Sequence, residues 1–278
     1  LRNLSFNALD TQINANINAN GILSDSPLFQ VNLAAAGNDL AVIFRILENE
    51  ELVTQITRLN SRSFYVNGLF ESSPGAGTLS INDLDANLLD ASITGNIVAS
   101  NLQSGQPVVT GTINAFGPDL PTLLEVAGQL QGGRDSALAG YGRELQNSPN
   151  QDFLLRTRFD ANMETGNLNV PELELNALGT VISGNLTGSE VNTETPVLRG
   201  RLNASGPDLP LLMQIVGQIS GGRESSLNQY GRNLRNIPGK NFTLNAPFDI
   251  NMARGNIDLS GLQAYFLGFR LSGELQAT

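Results

Sequence analysis

The sequence repeats itself in register, and that regularity excludes most ways in which a chain of this length can fold. Gly117-Pro118-Asp119-Leu120-Pro121 returns 89 positions later as Gly206-Pro207-Asp208-Leu209-Pro210. At the same offset Gly132-Gly133-Arg134 returns as Gly221-Gly222-Arg223, and Tyr141-Gly142-Arg143 as Tyr230-Gly231-Arg232. Phe159-Asp160 maps onto Phe248-Asp249 and Ser183-Gly184 onto Ser272-Gly273, while Phe64 and Gly77 precede Phe153 and Gly166 by the same step. Only near residue 60 does the spacing shrink, where the earlier segment lacks the Gly-Gly-Arg and Tyr-Gly-Arg pieces. A fixed period of this kind implies stacked copies of one supersecondary unit whose work is done by an extended surface.

Within a copy the hydrophobic period is two. Phe153, Leu155, Thr157, Phe159, Ala161 and Met163 alternate with Leu154, Arg156, Arg158, Asp160 and Asn162, which reads as a strand with one apolar and one polar face. Thr165-Gly166-Asn167 turns the chain, and Leu168 and Val170 restart the alternation. Pro171 interrupts it and Leu173, Leu175 and Ala177 resume it out of phase, which places a bulge or an edge there. Leu178-Gly179 makes the next turn, Ile182 and Leu186 lie on the following strand, and Leu198, Leu202 and Ala204 on the one after.

The period then changes. Asp208 is placed to cap a helix, Pro210 sits in its first turn, and Leu209, Leu212, Val216 and Ile219 form one stripe. Gly221-Gly222 stops it, Glu224 and Ser225 open a second helix with Leu227, Tyr230 and Leu234 on one face, and Ile237-Pro238-Gly239 returns the chain to Phe242.

The predicted fold is therefore mainly β with inserted helical hairpins: an elongated, curved antiparallel sheet, or groove, built from ~89-residue repeats. Its parts are a partial repeat over 1–61, repeats over 62–150 and 151–239, and a partial repeat over 240–278, all one continuous elongated domain. Two short helices per copy are too few to cover every strand. Either the sheet curls until its apolar face meets itself, or it stays open as an apolar trough that needs a ligand such as an acyl chain. An ordinary sandwich or closed barrel also alternates in this way.

Composition narrows the function. The chain has no Cys, His or Trp, which removes imidazole acid–base catalysis, thiol nucleophiles and thiolate or imidazole metal sites. No other nucleophile stands beside a base, so the reading is not an enzyme, with no catalytic residue, metal or cofactor. A net charge of −10 with Lys240 as the single lysine argues against nucleic acid. Asp119 and Asp208 read as helix caps, and Asp160 and Asp249 as solvated groups on a polar face. Arg134, Arg143, Arg223 and Arg232 read as partners of Asp135, Glu144 or Glu224, or of helix-end carbonyls, in preference to phosphate ligands. The apolar runs are shorter than the ~20 residues that cross a bilayer. Four Tyr and no Trp supply poor aromatic girdles for a membrane barrel. The abrupt ends read as those of a piece of a longer chain.

The pattern Phe-Asp-x-Asn-Met-x-x-Gly-Asn-Leu/Ile, then a Leu-Gly turn, then Ser-Gly-x-Leu, spans Phe159–Leu186 and Phe248–Leu275, and a weaker echo runs through Phe70, Gly77, Leu84 and Gly95. It resembles the periplasmic repeat region of the AsmA-like proteins of Gram-negative bacteria, relatives of TamB, over almost the whole chain. The resemblance implies a bridge-like lipid-transfer protein of the repeating β-groove type, in the periplasm, with its parent anchored in the inner membrane by a helix missing here. It implies a conduit for phospholipid or another acyl lipid between inner and outer membranes, supporting outer-membrane integrity. The alternative is a TamB-like scaffold that works with outer-membrane assembly proteins and binds unfolded β-strands. Candidate groove liners are Phe153, Leu155, Phe159, Met163, Ile182, Leu186, Phe242, Leu244, Phe248, Ile250 and Met252.

Overall fold

The computed structural model describes residues 4–8, 10–46, 48–59, 61–133, 136–221 and 225–277. It divides into two units, Leu1–Glu164 and Thr165–Thr278. Unit 1 runs β1 (Leu4–Ala8), β2 (Thr11–Asn20), β3 (Leu28–Gly37), α1 (Ala41–Ile46), α2 (Glu50–Ile56), β4 (Phe64–Ser73), β5 (Thr78–Leu88), β6 (Ala91–Ser100), β7 (Val108–Gly117), α3 (Leu120–Gly132), α4 (Ala137–Leu145) and β8 (Phe153–Asn162). Unit 2 runs β9 (Asn167–Ala177), β10 (Thr180–Ser189), β11 (Val197–Gly206), α5 (Leu209–Gly221), α6 (Ser226–Asn233), β12 (Phe242–Asn251), β13 (Asn256–Phe266) and β14 (Phe269–Ala277). In each unit the strands lie side by side in chain order and the pairings are antiparallel. Four strands and a helical hairpin make one copy, as the periodicity predicts. Met163 lies in the turn after β8 and Met252 in a short 3-10 turn after β12, so neither belongs to a strand.

Each hairpin starts the same way. The side chains of Asp39, Asp119 and Asp208 accept from the N–H of Ala41 (3.0 Å), Thr122 (2.9 Å) and Leu211 (2.9 Å), satisfying donors the first helical turn leaves open. Ser136 and Ser225 cap the second helices through Ala139 and Asn228. The hairpin is then tied to the chain leaving it: the N–H groups of Leu40, Leu120 and Leu209 donate to the carbonyls of Arg62, Gln151 and Lys240 at 2.8 to 2.9 Å. The Tyr-Gly-Arg repeat owes its glycine to the helix crossing. A Cβ on Gly142 would meet Glu125 N at 2.6 Å, and one on Gly231 would meet Gln214 N at 2.9 Å.

Two stripes differ from the sequence pattern. Val216 is 42% exposed, because α5 turns the side carrying Gly217 toward α6. Tyr230 is 60% exposed. Arg143 makes an ion pair with Glu125 on α3, at 4.0 Å. Arg134, Asp135, Arg223 and Glu224, also singled out in the sequence, lie outside the described residues.

The bulge at Pro171 is present, and the copies before and after it carry one at the same place. Pro171 and Glu172 together oppose Asn185, between the pairs Gly184–Leu173 and Leu186–Val170. Asn82-Asp83 and Ser260-Gly261 do the same at steps of 89 residues. Each bulge shifts the strand phase by one, which keeps apolar side chains on one face on both sides of it.

Candidate apolar binding face

Register assembles the alternating residues into one apolar face per unit. In unit 1 a rung runs Ile13, Ala35, Val66, Ala86, Ile93, Ala115, Leu155 across seven strands. A second runs Ile17, Val31, Phe70, Ile81, Ile97, Gly111, Phe159. Large and small residues alternate along the first rung, so neighbouring side chains interdigitate. In unit 2, Leu175, Ile182, Ala204, Leu244 and Ala264 form one rung, and Val170, Leu186, Gly200 and Phe248 another. The opposite face carries amides and charges, as in Gln12, Asn14, Asn16, Asn18 and Asn20 of β2, all five of them exposed.

The helices cover one end of the unit 1 face. Leu40, Ala41, Phe44, Leu52, Val53 and Ile56 of the first hairpin segment pack with Phe64 at the start of β4, Leu89 of the β5–β6 turn and Val126 of α3. Toward the other end of the strands Phe29 and Leu79 remain 37% and 41% exposed. Small side chains at that end stay buried, Ala99 at 7% and Ala161 at 8%, so it is large apolar side chains that remain partly open there.

Of the sequence candidates, Phe153, Leu155 and Phe159 share the β8 face in unit 1 with Met163 beyond its end. The other seven belong to unit 2: Ile182, Leu186, Phe242, Leu244, Phe248 and Ile250 on its apolar face, and Met252 past the end of β12. Phe153 and Phe242 are buried, the remaining strand candidates are half-buried, and Met163 and Met252 are exposed. The groove liners named from sequence began at β8, so they left out six strands of the same face, with residues such as Ile17 and Val31, and Phe70 and Ile97, which the sequence had marked only as an echo of the repeat.

The phenylalanines have a structural task as well. Phe64, Phe153, Phe159, Phe242 and Phe248 each pair with a glycine on the preceding strand: Gly37, Gly117, Gly111, Gly206 and Gly200. A Cβ on Gly111 or Gly200 would come within 2.9 Å of the Cζ of Phe159 or Phe248. The rings therefore lie over the glycines and cover backbone that the missing side chains leave bare. The signal was in the sequence, since these glycines and phenylalanines recur at the same spacing.

The polar face holds the charges. Glu71 accepts from Gln30 at 2.6 Å, Ser80 at 3.2 Å and Asn82 at 3.3 Å. Asp249, read from sequence as solvated, has a side chain 46% exposed and also pairs with Arg199 directly across the strand pair, with Nε to Oδ2 at 2.8 Å. Tyr65 donates to Asp85 at 3.2 Å, and lost hydration, then that hydrogen bond and charge, raises its pKa. The shallow concavities also sit largely on this face. One in unit 1 is bounded by Asn16, Asn18, Gln30 and Asn32, and one in unit 2 by Asn185, Thr187, Arg199 and Arg201. Such linings suit water and polar groups. Among the described residues no cluster of three His, Cys, Asp or Glu side chains can hold a metal ion, and no helix is long and apolar enough to cross a membrane.

No family model matches this sequence, and no curated protein or solved structure matches it either.

Proposed function

We propose that each unit binds acyl chains on its apolar sheet face and that the chain is a segment of a periplasmic lipid conduit between inner and outer membranes. The observation that carries this reading is the continuity of the apolar rungs, seven strands wide in unit 1, with helices packed over one end only. Burial of methylenes supplies the affinity, at about 0.8 kcal/mol each. Ile, Leu, Val and Phe interchange along a rung, which suits a surface that must let a hydrocarbon chain slide without fixing its position. The polar face, rich in Asn and Gln, keeps such a sheet in water.

The test is mass spectrometry of lipid extracted from protein purified gently from bacterial cells. Phospholipid at near-stoichiometric amount is the expected result. Leu186→Asp and Phe248→Asp put a charge on the same rung, and both are expected to lose most of that lipid. Phe248→Asp also uncovers Gly200, so circular dichroism accompanies it and Leu186→Asp is the cleaner variant. Lipid-free protein, or a folded Leu186→Asp variant with undiminished lipid, overturns the proposal. Capture of unfolded β-barrel strands by lipid-free protein would turn the assignment to an assembly scaffold.

A further inference from the structure

The amide-bearing face of unit 1 carries two aromatic side chains that the fold does not require. Phe116 on β7 is 54% exposed and Tyr65 on β4 is 37% exposed. Each is the chain neighbour of a residue on the first apolar rung, Ala115 and Val66, so both project from the opposite face. At the repeat step of 89 residues Tyr65 becomes Leu154 and Phe116 becomes Ser205, so these strands form without a ring at either place. Register puts the two rings on one rung: Tyr65 stands opposite Asn87, Asn87 opposite Ser92, and Ser92 opposite Phe116. Three strand spacings separate the rings, about 14 Å. The adjoining rung runs Asp85, Thr94 and Asn114. The four strands β4 to β7 are each paired on both sides, so no part of this arrangement lies at a sheet edge.

The groups between the rings suit a polyhydroxylated ligand. The Tyr65 hydroxyl donates to Asp85 Oδ1 at 3.2 Å, which leaves Oδ2 to accept from a ligand. Among the described residues the side chains of Asn87, Ser92, Thr94 and Asn114 make no hydrogen bond within the protein. Amides and hydroxyls both donate and accept, as the hydroxyl groups of a sugar do. The C–H face of a sugar ring is attracted to the negative face of an aromatic ring. Exposed rings also stack nucleobases, but such sites add a positively charged groove for the backbone. Here no lysine or arginine belongs to the two rungs across β4 to β7, and Arg156, beside Asn114 on β8, already has a partner. With Asp85 in the site and a net charge of −10 on the chain, an anionic ligand is repelled. We propose that this face of unit 1 binds a neutral oligosaccharide, with sugar rings over Phe116 and Tyr65 and hydroxyl groups on Asn87, Ser92 and Asp85. The site lies on the face opposite the apolar rungs, so it stands or falls independently of acyl-chain binding.

The experiment is isothermal titration calorimetry of the 278-residue chain with soluble neutral hexasaccharides, namely cellohexaose, maltohexaose and N-acetylchitohexaose. Hexagalacturonate serves as the anionic control. The expected result is binding of at least one neutral hexasaccharide, with hexagalacturonate weaker. Phe116→Ala is expected to weaken that binding about tenfold or more, with unchanged circular dichroism because the ring is exposed. Phe116→Tyr keeps a ring and is expected to stay within about threefold of the parent chain. Asn87→Ala is expected to weaken binding about threefold or more, and it carries the test if Phe116→Ala does not fold. Asn18→Ala, on the same face but outside the two rungs, is expected to leave binding unchanged. Three neutral hexasaccharides that all fail to bind, hexagalacturonate binding as tightly as they do, or a complex indifferent to Phe116→Ala and Asn87→Ala overturns the proposal.

Discussion

Tyr141 and Tyr230 occupy the same place in two copies of one repeat, yet Tyr141 is 6% exposed and Tyr230 60%. Their immediate surroundings match: each lies on the second helix of a hairpin, after a serine cap, beside a glycine at the helix crossing. The units around them differ. Unit 1 contains two hairpins, and Val126 of α3 is buried in the cluster formed by α1 and α2. Unit 2 contains one hairpin, and Ile215, the counterpart of Val126, is only half-buried. The repeat thus sets each hairpin's shape but not how deeply its residues are buried.

The largest effect expected from this difference is between the two tyrosines. Truncating a buried aromatic leaves a cavity and costs about 3 kcal/mol or more, while an exposed side chain away from special contacts costs within about 0.5 kcal/mol. Tyr141→Ala is therefore expected to shift the urea midpoint strongly and Tyr230→Ala hardly at all. Equal shifts would break the comparison, because both residues would then be stabilised by the hairpin itself and not by its surroundings.

The turn leucines sharpen the same contrast. Leu89, Leu178 and Leu267 recur at the same step and all take positive φ, at 54°, 54° and 52°. A left-handed leucine costs roughly 1–2 kcal/mol. Leu89 and Leu178 are each 8% exposed, and Leu89 packs among the helices of unit 1, whereas Leu267 is half-buried. Glycine relieves the strain at all three but forfeits about 1.5–3 kcal/mol where the side chain is buried. Leu89→Gly is expected to destabilise by about 1 kcal/mol, and Leu267→Gly to be neutral or to stabilise slightly. Thermal denaturation of the two variants reads the difference, and a stabilising Leu89→Gly would show that strain outweighs packing there.

What the sequence made legible was whatever one short segment specifies. The aspartate caps at Asp119 and Asp208, the glycine stops, the Leu178-Gly179 turn and the Pro171 bulge all depend on residues a few positions apart. The bulges at Asn82-Asp83 and Ser260-Gly261 lack a proline and were invisible until strand register revealed them. The cover of Gly200 by Phe248 and the pairing of Arg199 with Asp249 join residues separated by a whole hairpin, so only register brings them together. The apolar face was legible as alternation. Its extent through unit 1 was not, because Gly111 and Ala115 lie on it without looking apolar in a scan for large side chains.

The smallest expected effect tests whether charge or burial separates the units. Arg199 and Asp249 make a short contact, but their side chains are 64% and 46% exposed, so water and salt screen the pair. The Arg143–Glu125 pair of unit 1 is longer at 4.0 Å, yet the Glu125 side chain is only 15% exposed. If exposure governs, Asp249→Asn changes stability by less than about 0.5 kcal/mol and the change fades in 1 M salt, whereas Glu125→Gln costs more and keeps most of its effect there. If contact distance governs, the order reverses. Denaturant unfolding of both variants at low and high salt decides between them. A dominant Asp249 effect would mean that cross-strand charge on the polar face steadies unit 2 in place of the helix packing that unit 1 enjoys.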